Sequence, residues 1–348
     1  MERDKQLDFY RGLSMIYVVS FIHVVYWLKI GAEPIKSLML FEMPLIFFIS
    51  GASLSFNKTP RRFKQVFFNR MVRVVIPYYV YAIVSVVVLA IVTMLWRLEI
   101  SSIRESMFAA NYHIDITLYS LRNICSILAL HNIPQFPFVN HLWFIWPYLI
   151  LSCTFELQKG ILTKVNRGGY LIVCVALFLA SQWVTENLWI RCIFCYNIFM
   201  VMGYCYYRQI SIKARLLFFL GISLLLIITL QIPCNNLVSM QDHKFPPDAV
   251  FLFYNLFILA LFSLIFSKVR IPEFKWIRWW NERGYTIYLY QNFAFSIIFP
   301  FVNSTGNVYT SWKYFTLCAI SVFVLMSLLS SIVYPLERKV VNWLLNIN

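Results

Sequence analysis

An arginine and a histidine share one apolar stretch near the start of the chain, DFYRGLSMIYVVSFIHVVYW from Asp8 to Trp27. An ionisable side chain at the centre of a membrane helix costs about 2.5–3.5 kcal/mol on insertion scales, so such a group is rarely there by accident. A neutral imidazole at that depth can take a proton from a hydroxyl or carry a transferred group itself, and His23 is the candidate. The alternative is a histidine packed between helices and bonded to a carbonyl. Arg11 lies at the other end of the stretch, about 18 Å away at helical rise.

Other residues have types and spacings suited to chemistry. Glu42, in the second apolar stretch, can reach the depth of His23. A carboxylate there would orient the imidazole as in a triad, or face water at the headgroups. Arg70 and Arg73 lie one helical turn apart, and their planar forks suit phosphate. Plain charge anchoring is the other reading, and it is preferred for Lys58, Arg61, Arg62 and Lys64. His141 and Trp143 open a later stretch; tryptophan anchors at interfaces, yet an aromatic with a polar neighbour also suits a sugar ring. Tyr288 and Gln291 are one turn apart, and glutamine can hydrogen-bond there but cannot titrate. Ser50 and Gly51 permit close helix approach or line a passage.

These residues must be positioned by membrane helices. Of the 348 residues, 60% are hydrophobic and only 13% charged, where soluble domains carry about 25% charged residues. The expected fold is therefore all-α, a polytopic bundle forming a single domain over residues 1–348. At about 20 apolar residues per span, ten helices are expected near 12–30, 38–56, 74–96, 140–157, 170–185, 190–207, 216–232, 250–267, 284–302 and 314–334. With both termini cytoplasmic, the inner segments hold 22 of the 30 basic residues, as the positive-inside rule requires. The net charge of +15 is then topological, and no nucleic-acid partner follows from it.

The eight cysteines fall mostly in hydrophobic runs without metal-ligand spacing, and the lone CxxC of Cys192 and Cys195 reads as packing. No cleavable signal peptide is expected, because the first apolar run is long and is followed by further spans. The segment from Arg97 to Asn140 falls on the exported side. Its apolar run 116–130 is shorter than a span and carries Arg122, which reads as a re-entrant or interfacial helix. No internal repeat is evident, which weakens an inverted-repeat transporter.

Five strings, in order, resemble the acyltransferase-3 family of membrane enzymes that transfer acyl groups to extracytoplasmic glycans and other small acceptors. They are LDFYRGLSMIYVVSFIH, MPLIFFISG (Met43 to Gly51), FFNRMVRVVIPYY (Phe67 to Tyr79), HLWF (His141 to Phe144) and GYTIYLYQ (Gly284 to Gln291). Three departures stand out. Glu42 stands where related sequences often carry a histidine, and Gln291 replaces a usual late histidine. Between Arg11 and His23 this chain has one residue more than the family spacing, which in a regular helix puts His23 about 120° around from Arg11 instead of about 20°. A one-residue π-bulge would absorb it, and such a bulge is expected between Arg11 and His23.

The resemblance implies an acyl donor with its phosphates at the inner mouth, near Arg11, Arg70 and Arg73, and its acyl carbon at His23. Acyl-CoA, such as acetyl-CoA, fits as donor substrate, with no permanently bound cofactor. The acceptor is a hydroxyl on a glycan or lipid-linked glycan, met near Ser50, His141, Trp143, Tyr288 and Gln291. The expected location is the cytoplasmic membrane. A transporter or flippase for a lipid-linked glycan would line a path with the same buried polar groups, and an inactive scaffold in a glycan assembly complex is a third reading.

Overall fold

The structure, a computed structural model, describes residues 4–27, 36–56, 62–96, 125–126, 140–207, 211–231, 239–266, 272, 274–303 and 312–346. The expected re-entrant segment 116–130 falls outside the described residues apart from two. Helices cover all ten stretches expected from the sequence. Helix α1 runs over Lys5–Tyr17 and continues through a π-helical turn, Val18–Ile22, into His23–Trp27. It is followed by α2 (Glu42–Ser55), α3 (Phe63–Trp96), α4 (Ile145–Leu162), α5 (Arg167–Val184), α6 (Leu188–Tyr206), α7 (Ile212–Leu230), α8 (Ala249–Ile265), α9 (Lys275–Asn303) and α10 (Trp312–Asn346). A 3-10 turn, Asn140–Phe144, leads into α4, and a short helix, Met240–Lys244, precedes α8. Among the described residues there is no strand.

Seven of these helices are long and apolar enough to cross a membrane among the described residues; α8 is apolar but shorter. The protein is a multi-pass membrane protein. Side chains cap several of the entries: Asn166 accepts from Gly168 and Gly169 N–H, Asn187 from Trp189 and Ile190 N–H, and Asp248 from Phe251 N–H. Each cap satisfies donors that the first helical turn leaves without a carbonyl.

Several helices run past the bounds that hydropathy alone suggests, three of them by nine residues or more. Helix α3 starts at Phe63, α9 at Lys275, and α10 continues through Pro335 to Asn346. Charged residues cut these segments out of an apolar window, but they do not break a helix. The extensions bury their own apolar residues, such as Val66 in α3 and Ile277 and Trp280 in α9.

The chain forms two compact units. The first holds Met1–Ser14, Ala32–Phe63 and Ile150–Arg278; the second holds Met15–Gly31, Lys64–Leu149 and Trp279–Asn348. In the first unit, α2 and α6 pack through glycines. A Cβ on Gly51 would fall 1.9 Å from the Met200 carbonyl oxygen, and one on Gly203 would fall 1.9 Å from that of Phe48. Only backbones without side chains can approach so closely. Phe47 stacks on Tyr196 across the same contact, with ring centroids 4.7 Å apart.

In the second unit, aromatic contacts bring α9 and α10 together, with Trp280 stacked on Phe323 at 4.8 Å. Phe21 of α1 meets Phe315 of α10 edge-on at 5.0 Å. The Tyr285 hydroxyl of α9 donates to the Val74 carbonyl of α3 at 2.9 Å.

Candidate active site

The π-helical turn lies between Arg11 and His23, where the extra residue called for it. The His23 N–H bonds the Val18 carbonyl, five residues back, in place of the four-residue step of an α-helix. Val18, Val19, Ser20 and Ile22 of this turn are buried. The widened turn takes up one residue and delivers His23 to the face it would hold with the shorter spacing.

His23 is half-buried. Its Nδ1 lies 2.6 Å from Gln291 Oε1. An amide oxygen only accepts, so in this contact Nδ1 is the donor. The Tyr288 ring packs edge-on against the imidazole at 5.8 Å. Tyr288 and Gln291 thus meet His23 from one face of α9, as their one-turn spacing allows.

His141 takes a different place from the acceptor contact expected of it. It is buried, with Nε2 donating to the Tyr288 carbonyl at 3.0 Å and Nδ1 accepting from Asn292 Nδ2 at 2.7 Å. In return, the Tyr288 hydroxyl donates to the His141 carbonyl at 3.2 Å. Both ring nitrogens are therefore spent on protein groups, and His141 sets the position of α9 behind His23. Trp143, in the same 3-10 turn, is half-buried.

Arg70 is half-buried and Arg73 exposed at the start of α3. Neither has a hydrogen bond or ion pair among the described residues. Their guanidinium groups are available to an anion, which is the condition for a donor-phosphate contact.

The remaining candidates lie in the first unit. Arg11 donates from Nη2 to the Ser53 hydroxyl of α2, and Ser53 in turn donates to the Ile49 carbonyl at 2.8 Å. Ser50 is half-buried beside Gly51, the residue that lets α6 close on α2. Glu42 is 2% exposed and forms a buried ion pair with Lys244. The sequence left two readings for this carboxylate, orienting the imidazole of His23 or facing water at the headgroups. The structure gives Nδ1 to Gln291 within the second unit and Glu42 to Lys244 within the first.

Sequence reasoning passed over several of these residues. Lys244 stands 202 positions from Glu42, and no short-range pattern joins them. Asn292, directly after Gln291, is a second amide on an apolar helix and carried a usable signal. Glu337 is 3% exposed and accepts from the Thr286 hydroxyl at 2.6 Å. It was hidden by the hydropathy window that ended α10 too early.

The family whose description is an acyltransferase domain matches residues 4–331, nearly the whole chain and both units. No curated protein and no solved structure matches it significantly. The five strings, the π turn beneath His23 and a family match of this length agree, and the chain belongs to the acyltransferase-3 family: it is a membrane acyltransferase.

Proposed function

We propose that this acyltransferase moves an acetyl group from cytoplasmic acetyl-CoA to a hydroxyl of an extracytoplasmic polysaccharide or lipid-linked glycan. In this reading ten helices span the cell's inner membrane and both termini are cytoplasmic. The excess of basic residues in the inner segments supports that orientation. The observation that carries the chemistry is the hydrogen bond from His23 Nδ1 to Gln291 Oε1.

With Nδ1–H held, Nε2 is the basic nitrogen. It takes the proton of the acceptor hydroxyl as the oxygen attacks the thioester carbonyl. The tetrahedral intermediate collapses, the carbon–sulfur bond breaks, and the imidazolium returns the proton to the departing thiolate. The products are an O-acetyl ester and CoA, with no net proton gained or lost. Gln291 does the orienting work of a triad carboxylate without its charge. Arg70 and Arg73 hold the donor's phosphates, and Trp143 offers an aromatic face to the acceptor.

Sealed inside-out vesicles test this reading. Labelled acetyl-CoA supplied to the exposed cytoplasmic face should place label on glycan inside the vesicle. Absence of label with acetyl-CoA and with longer acyl-CoA donors would overturn it.

A further inference from the structure

Arg283, at the inner end of α9, has a setting unlike that of the basic residues around it. Lys275 and Arg278 on the same helix, and Arg338 and Lys339 on α10, are exposed, as charge anchoring requires. Arg283 is half-buried. Its guanidinium lies over the Trp279 ring at 4.2 Å and over the Tyr334 ring at 4.9 Å. Two aromatic faces hold the plane of the cation and lower the cost of desolvating it.

They do not satisfy its hydrogen-bonding edge. Of five N–H donors, only Nη1 has a partner among the described residues, the Trp279 carbonyl at a long 3.5 Å. Nε is buried with no partner among the described residues. No carboxylate pairs with Arg283 there either: Glu337, three residues past Tyr334 on α10, accepts from Thr286. A clamped, partly desolvated guanidinium with open donors is an incomplete arrangement, and an oxyanion bound through the planar fork would complete it.

The level of Arg283 in the second unit indicates which anion. Tyr285, two residues further along α9, bonds the Val74 carbonyl of α3. Val74 follows Arg73 directly, so Arg283 and the turn bearing Arg70 and Arg73 lie at the same level. These three arginines are without an acidic partner among the described residues.

We infer that Arg283 is a third phosphate-binding residue for the acyl donor, held by Trp279 and Tyr334 so that its fork meets a phosphate of CoA. The inference rests on the acyl-CoA reading given above. Arg70 and Arg73 supply charge from α3; Arg283 supplies a fixed fork from α9, the helix that also carries Gln291. Donor binding is thereby registered on the element that orients His23.

Equilibrium binding of CoA to the purified full-length protein in lipid nanodiscs tests this without knowledge of the acceptor. Arg283→Ala should weaken CoA about tenfold, and Arg283→Lys, which keeps the charge but loses the fork, about threefold. S-acetylpantetheine, which has the thioester arm but no nucleotide phosphates, separates phosphate contact from a structural role. Its competition with CoA at the native protein and its affinity for the Arg283→Lys protein should stay within twofold of each other.

CoA affinity unchanged in both variants overturns the inference and leaves the acyl-CoA reading intact. Equal weakening of CoA and S-acetylpantetheine overturns it in favour of a structural role. Failure of the native protein to bind CoA overturns both the inference and the reading on which it rests.

Discussion

Two buried polar clusters, one in each unit, solve the same problem in opposite ways. In the first unit Glu42 and Lys244 bury opposite charges against each other, at 2% and 6% exposure. The short helix carrying Lys244 is tied down on both sides. Met240 N–H donates to the Ser37 hydroxyl at 2.9 Å, and His243 pairs with Asp248 at 2.5 Å. In the second unit the contact joins His23 to the amide of Gln291, and the imidazole is only half-buried. A charge pair sealed from water fixes a fold, because losing either partner strands the other. A histidine–amide contact at a half-buried position breaks no ion pair when it changes, and a histidine is the side chain best suited to proton transfer near neutral pH.

The largest effect that would sharpen this contrast is expected at His23. His23→Ala should lower transfer by roughly 10²–10⁴-fold, the range for loss of a general base, with normal yield and an unchanged elution profile. Glu42→Ala should do the reverse. It strands a buried lysine, at about 3–5 kcal/mol, and should be seen as a fall in thermal midpoint and yield. The double replacement Glu42→Leu with Lys244→Met should recover stability, since a well-packed apolar pair can match a buried ion pair. Loss of transfer in that stable double variant would break the comparison by giving Glu42 a chemical role.

Gln291→Leu should reduce transfer about 10–100-fold, as for residues that orient a reacting imidazole from behind. Stability should change little, because no buried ion pair is broken. Gly203→Ala should act on packing alone. Its Cβ would meet the Phe48 backbone, at a cost of about 1–3 kcal/mol in thermal unfolding, while the surviving protein keeps its turnover.

The sequence made the local geometry of α1 readable. One residue beyond the family spacing is a count, and a helix has few ways to absorb a count; the π turn at Val18–Ile22 is one of them. The approach of Tyr288 and Gln291 to His23 was also readable, because one-turn spacing on α9 puts both on a single face. Contacts between distant segments were not. Glu42 and His23 looked matched in depth, but depth does not choose a partner, and the short helix ahead of α8 supplies Lys244 instead. His141 looked like an acceptor contact because a histidine beside a tryptophan suits a sugar. Burial and the neighbouring amide of Asn292 decide otherwise. Arg283 read as one more inner charge, since no sequence pattern distinguishes a clamped arginine from an exposed one.

The central claim is that Gln291 holds the proton on His23 Nδ1, so that Nε2 is the base. Nitrogen-15 NMR of histidine-labelled protein measures this directly. With five histidines in the chain, subtraction of a His23→Gln spectrum isolates the signal. The account predicts a protonated Nδ1 and an unprotonated Nε2 in the native protein, with the two tautomers mixing in Gln291→Leu. An Nε2–H tautomer in the native protein, or a spectrum indifferent to Gln291→Leu, would contradict it.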